Sequence, residues 1–219
     1  MFVNAHTHHL NSEGISVVNI YPSDQVPILS EHQILSCGIH PWHIKDIDME
    51  EAFDQLKHLC EKGLIKIIGE CGLDKYIEDI PRQEIVFRQH IVLSEQYELP
   101  LIIHSVKSHH LILNIRKETK AQQPWIIHGF NGSLEMAEQL IKQNIFLSLG
   151  PNFFRNTEKA SRLLNRIDLS FVLFETDDTD EEIKDIYSKA KDVLRISTEE
   201  LEIKIMLNFK RILRDGWIG

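Results

Sequence analysis

The stretch Phe2-Val3-Asn4-Ala5-His6-Thr7-His8 sets the reading of the whole chain. Phe2 to Ala5 reads as a short apolar strand, and His6 and His8 close it. Side chains at i and i+2 of a strand point the same way, so the two imidazoles stand side by side at the strand's end. Paired imidazoles suit a metal ion better than a core. In a chain with 12 His, a lone His-x-His is weak evidence. Its weight comes from recurrence: four more apolar runs end in Glu70, His104, His128 and Asp177.

Outward from this stretch, short apolar runs alternate with amphipathic helical ones. The later strands are Ser16 to Ile20, Ile34 to Ile39, Leu64 to Gly69, Leu101 to Ile103, Trp125 to Ile127, Ile145 to Leu149 and Phe171 to Phe174. Helices are expected at Met49 to Lys62, Arg82 to Tyr97, His109 to Thr119, Ser133 to Lys142, Thr157 to Arg166, Asp180 to Val193 and Thr198 to Leu213. Phe53, Leu56, Leu59 and Cys60 keep helical spacing in the first, and Gly63 ends it. Near-continuous apolar strands suit a parallel sheet covered on both faces, and eight of them suggest a (β/α)8 TIM-type barrel. Little room is left for a helix between His8 and Ser16 or between Tyr21 and Ile34, so the outer ring should be reduced near the N-terminus.

The chain of 219 residues suits a single domain over 1–219. A net charge of −9 disfavours sequence-independent binding to nucleic acid by charge alone, although bound divalent cations would reverse the local field. No apolar run approaches a membrane span, and MFVNAHTHH lacks the basic and apolar regions of a signal peptide. Cys37, Cys60 and Cys71 are widely spaced, as in a reducing compartment, so a cytoplasmic location is expected. Cys71 beside Glu70 reads as a small buried residue rather than a reactive thiol.

Active sites of such barrels lie at the C-terminal ends of the strands. There the chain places His6 and His8, His40, Glu70, His104, His128 and Asp177 in turn. Imidazoles and carboxylates are ligands for borderline divalent ions. The set exceeds what one tetrahedral ion requires and suggests two ions, a pairing suited to hydrolysis of phosphate esters or amides.

His-x-His after the first strand, Gly38-Ile39-His40-Pro41, Gly69 to Asp74 (GECGLD), Phe87 to His90 (FRQH), Pro100 to His104, His128 to Ser133 (HGFNGS) and Phe174 to Asp177 (FETD) occur in that order. With STEEL and NFKRIL near the C-terminus, this resembles the TatD family of metal-dependent hydrolases, in the amidohydrolase-like superfamily. The resemblance implies two divalent ions per chain, Zn, Mn or Mg. His6, His8, Glu70 and Asp177 would hold one and Glu70, His104 and His128 the other, with Glu70 bridging. It also implies phosphodiester hydrolysis, as in a TatD-like deoxyribonuclease, by a metal-activated hydroxide. Glu70 and Asp177 would be the catalytic carboxylates, Asp177 as the proton acceptor.

The expected substrate is a small phosphoester or a nucleic-acid end, with no membrane and no obligate protein partner. The alternatives are an amide or lactone hydrolase of the same superfamily and a trimmed, non-catalytic metal-binding paralogue. His40, Asn131 and Lys107 are candidate substrate contacts, and Asp74 a candidate for orienting a ligand. Arg88 reads as a structural ion pair and His43 as solvated. Two departures stand out. Asn4 replaces the family's usual Asp, and Asp178-Thr179-Asp180 replaces the Ser-Pro and long loop that usually follow the last Asp. The acidic run Glu175 to Glu182 reads as a solvated face except at Asp177, and would oppose a long polyanion.

Overall fold

The computed structural model describes residues 1–10 and 13–214. Eight strands form one sheet in sequence order: β1 (Val3–Thr7), β2 (Ile15–Ile20), β3 (Gln33–Cys37), β4 (Ile67–Asp74), β5 (Leu101–Val106), β6 (Trp125–Ile127), β7 (Ile145–Leu149) and β8 (Val172–Phe174). Every paired neighbour is parallel. The sheet curls so that its ends meet in a nearly closed barrel. At that seam Asp177 N donates to His6 O at 3.1 Å, and His8 N donates to Asp177 O at 3.3 Å.

Side chains reinforce the seam. The Asn4 amide donates to Thr176 Oγ1 at 2.8 Å, and its oxygen accepts from Thr176 N at 3.1 Å. A carboxylate at position 4 could accept but not donate, so an amide suits this two-way clasp. Below it, the Tyr187 hydroxyl accepts from Val3 N and donates to Val3 O, at 3.0 and 3.2 Å.

The helices are α1 (Met49–Glu61), α2 (Ile80–Tyr97), α3 (His109–Thr119), α4 (Leu134–Ile141), α5 (Pro151–Phe154), α6 (Thr157–Leu164), α7 (Ile183–Leu194) and α8 (Thr198–Leu213). No helix separates β1, β2 and β3 among the described residues, as the short connections require. Positions 11 and 12, in the first of these connections, lie outside the described residues. Local chemistry sets the helix starts: Asp48 accepts from Glu50 N and Glu51 N, Ser133 from Met136 N and Ser197 from Glu200 N. The core lies in the barrel and between sheet and helices, where Trp125, Phe87, Phe130, Tyr187 and Phe209 are fully buried.

The structure differs from the expected strands in an instructive place. β4 and β5 do not stop before Glu70 and His104 but run through them to Asp74 and Val106. The β4–β5 register shifts between Ile68 and Cys71, and Gly69 and Gly72 bracket Glu70-Cys71 with φ of 137° and 141°. Such a bulge re-aims one side chain without ending the strand, and glycine tolerates these angles. α5 and a 3-10 turn at Leu169–Phe171 are too short to carry a helical period in sequence.

Candidate metal centre

Among the described residues, six of the eight strand ends, all but those of β2 and β7, deliver an imidazole or carboxylate to one mouth. His6 and His128, far apart in sequence, have ring centroids 4.5 Å apart, and His6 and His8 are 5.1 Å apart. His6 is fully buried, yet neither ring nitrogen has a hydrogen-bond partner. Its Nε2 lies 3.5 Å from both Glu70 Oε2 and Asp177 Oδ1. His8 Nε2 lies 3.7 and 3.8 Å from the same two oxygens. These separations are long for hydrogen bonds but fit co-ligands, since two ligands held at about 2.0–2.2 Å by one tetrahedral ion stand roughly 3.3–3.6 Å apart. The orphaned nitrogens and the spacing therefore fit a divalent ion among His6, His8, Glu70 and Asp177.

A second convergence shares Glu70. His104 Nδ1 and His128 Nε2 approach Glu70 Oε1 at 2.8 and 2.7 Å, and lie 3.4 Å from each other. The opposite nitrogen of each ring faces another carboxylate: His104 Nε2 lies 3.1 Å from Asp74 Oδ2, and His128 Nδ1 lies 3.5 Å from Glu175 Oε1. A carboxylate behind a histidine can take its N–H and turn the remaining lone pair forward, the arrangement usual for metal-binding histidines. Asp74 does so for His104, while Glu175 places its charge behind His128 without a hydrogen bond to Nδ1. Asp74 is itself held by Trp42 Nε1 and Tyr76 N, both at 2.8 Å. The 2.7 and 2.8 Å contacts are hydrogen-bonded ion pairs, shorter than co-ligand spacing, so here the donor set rather than its spacing suits a second ion.

Electrostatics follow from this crowding. Burial works against the Glu70 charge, but His128, His104 and His40 hold its carboxyl well below the usual carboxylate range. Burial likewise opposes the Asp177 charge, and His6 and His128 outweigh it. Burial and the charge of His128 oppose protonation of His6, yet Asp177 and Glu70 raise it to about 9. A divalent ion entering here would displace protons from imidazoles.

The remaining candidates divide. His40 is buried at the mouth: Trp42 N donates to its Nδ1 at 3.1 Å, which leaves Nε2 to carry the proton and face Glu70 Oε1 at 3.1 Å. It is thus placed to donate to Glu70. Lys107 is exposed, and Asn131 Oδ1 accepts from Lys159 Nζ at 2.5 Å. Neither Lys107 nor Asn131 bonds to the clustered side chains among the described residues. Arg88 pairs with Glu84 and Glu118 at 2.8 and 2.6 Å. Burial pushes the Cys71 thiol up, away from the reactive thiolate.

Two residues correct or extend the sequence reading. Glu175, read as part of a solvated face, is fully buried and accepts from Gly129 N at 2.6 Å. The signal was available, because Glu175 and Asp177 share the i, i+2 parity of His6 and His8. His43 is half-buried rather than solvated, its ring 5.0 Å from Tyr21. With Tyr21, Ile39, His40 and Ile47 it lines a cavity of about 400 Å³ beside the mouth, whose walls also carry Asp48 and Glu51.

Known proteins match this chain in both sequence and fold. Bacillus subtilis YabD, described as an uncharacterized metal-dependent hydrolase, is 35% identical over 156 residues, covering 68% of this chain and 61% of YabD. Escherichia coli YjjV, described in the same words, is 27% identical over 148 residues, covering 65% and 57%. The chain thus spans about three fifths of the length of these relatives. In fold, the crystal structure of YjjV, a TatD homolog from Escherichia coli, matches with a TM-score of 0.85 at 19% identity, over 96% of this chain and 97% of that one. A TatD family hydrolase from Entamoeba histolytica matches with a TM-score of 0.82 at 17% identity, over 96% and 97%. The family model described as TatD related DNase matches residues 23–214, and the chain belongs to the TatD family.

Proposed function

We propose that this protein is a metal-dependent hydrolase that cleaves a phosphodiester with two divalent ions. The observation that carries the reading is the pair of convergences on Glu70: two carboxylates and two imidazoles at co-ligand spacing on one side, and two carboxylate-backed imidazoles on the other. In this reading His6, His8, Glu70 and Asp177 hold one ion, and Glu70, His104 and His128 the second. Bound there, two ions would lower the pKa of an attacking water and stabilise negative charge on the scissile group. The protein's own contribution is orientation. Asp74 orients the ring of His104, Glu175 sets a charge behind His128, and His40 is placed to donate to Glu70. The Asp177 side chain, 37% exposed, faces both the cluster and solvent, which suits it to accept a proton from water.

The substrate is proposed to be short. The cavity beside the mouth carries Asp48 and Glu51, and Asp178 and Asp180 follow Asp177, so a long polyanion would meet repulsion. The same cavity supports a second reading, an amide or lactone hydrolase, because its Ile39, Ile47 and Ala52 wall would accept an acyl group. The test is elemental analysis of protein purified without added metal, followed by turnover on bis(p-nitrophenyl) phosphate, N-acyl amino acids and lactones. His6→Ala and Glu70→Ala are expected to lose bound metal and turnover together. Full turnover after exhaustive chelation would remove the metal-dependent mechanism, and acyl turnover alone would select the second reading.

A further inference from the structure

At the barrel end opposite the metal centre, the loops that lead into β6, β7 and β8 enclose a depression of about 570 Å³. Among the described residues its charged lining is Arg116, Lys117, Lys120, Lys142, Arg211 and Arg214, with no acidic residue. The chain has 33 acidic against 24 basic residues, so six cations without an acid is not what its composition would place in one hollow. None of the six has a carboxylate within ion-pair distance among the described residues, whereas Lys45, Lys57 and Arg88 elsewhere on the surface do.

The three guanidiniums are held by neutral groups. Arg116 is buried, lies 4.8 Å over the Trp125 ring and donates from Nη1 to Gln123 O at 2.9 Å. Arg211 lies 4.8 and 4.7 Å from the rings of Phe146 and Phe171 and donates from Nη2 to Ser170 O at 2.7 Å. Arg214 donates from Nη2 to Gln122 O at 3.3 Å. Glu95, whose field reaches Arg116, places its carboxylate on Gln122 N and Gln123 N at 2.8 and 2.9 Å. Aromatic faces and carbonyls orient a guanidinium without neutralising it. The result is an ordered cationic wall in a concave site, a geometry that focuses the field on an anion and lowers the ordering cost of binding it.

We infer that this depression binds a small anion bearing two or more phosphoryl groups, such as pyrophosphate or the polyphosphate of a nucleotide. Its volume is within the range of small-molecule sites. Arginine forks engage phosphoryl oxygens in pairs, and the three exposed lysines at the rim add point charges. The inference is independent of the metal reading, because the two sites lie at opposite ends of the barrel.

Calorimetric titration of the wild-type protein with inorganic pyrophosphate, and separately with ATP, tests it. Saturable binding that weakens with added salt is expected. Lys117→Glu combined with Lys120→Glu should lower the affinity by about tenfold or more while the unfolding temperature holds, since both side chains are exposed. Lys142→Glu alone serves if the double variant fails to fold, and should weaken binding in the same direction. Similar affinities for the two probes would indicate recognition of phosphoryl groups alone, and tighter ATP binding would add a contact to its nucleoside; both support the site. No saturable heat with either probe overturns the inference. So does equal affinity in wild type and charge-reversed protein, which would place the anion at the metal mouth instead.

Discussion

Glu175 shows how a single side chain can govern the centre without facing its middle. It stands behind His128, its carboxylate 3.5 Å from Nδ1, and accepts the Gly129 amide, so it fixes the turn that carries the ring and places a charge behind it. Glu175→Gln removes the charge behind the imidazole while keeping an acceptor for Gly129. Metal affinity, read by competition with a fluorescent chelator, is expected to fall by roughly 10–100-fold. An unchanged affinity would remove Glu175 from the site. His90 acts one step further out: its Nε2 accepts from Ile39 N at 3.0 Å, next to His40. Burial lowers its pKa from 6.5 to about 4. The unfolded chain therefore takes up this proton as pH falls below 6.5 while the folded protein refuses it, so the stabilisation present above 6.5 is lost on the way to 4. Between pH 7 and pH 5 this single ring should cost about 2 kcal/mol. His90→Gln, which keeps an acceptor, should be less acid-sensitive than wild type by that amount in urea unfolding at the two pH values.

At the level of elements, the period of the apolar runs made strands and helices legible, because buried parallel strands and amphipathic helices write their burial directly into residue type. β6, β7, α3 and α8 lie residue for residue where the pattern placed them. The extension of β4 past Glu70 was not legible, since a bulge depends on backbone angles at Gly69 and Gly72 that hydropathy does not encode. Lys107 and Asn131 illustrate the same limit at the rim, where loop geometry decides what a polar side chain reaches. Glu175 was hidden for another reason: a charged residue inside an acidic run looks solvated unless its strand parity is followed. The NFKRIL segment has a mechanical meaning in α8. Asn208 Nδ2 donates to Leu169 O and Val172 O, both at 2.8 Å, fastening α8 to the turn before β8. Asn208→Ala would leave two carbonyls short of a donor and should lower unfolding stability by about 2–3 kcal/mol, measured in urea.

For the molecule as a whole, the seam between first and last strands is where the chain's two ends are reconciled. Asn4 with Thr176, and Asp177 with the backbone of His6 and His8, carry the closure. If an ion sits among His6, His8, Glu70 and Asp177, it ties the same two edges. Hydrogen exchange at His8, Thr176 and Asp177 should then slow when Zn²⁺ or Mn²⁺ is added, while amides in β6 and β7 change little; uniform protection would disconnect the ion from the joint. On the proposed function, a barrel whose zip fastener is also its reactive surface has an unusual vulnerability: sequence drift that loosens the clasp at Asn4 would misplace His6 and Asp177 together, and a scavenged cation would act as the rivet that hides such damage.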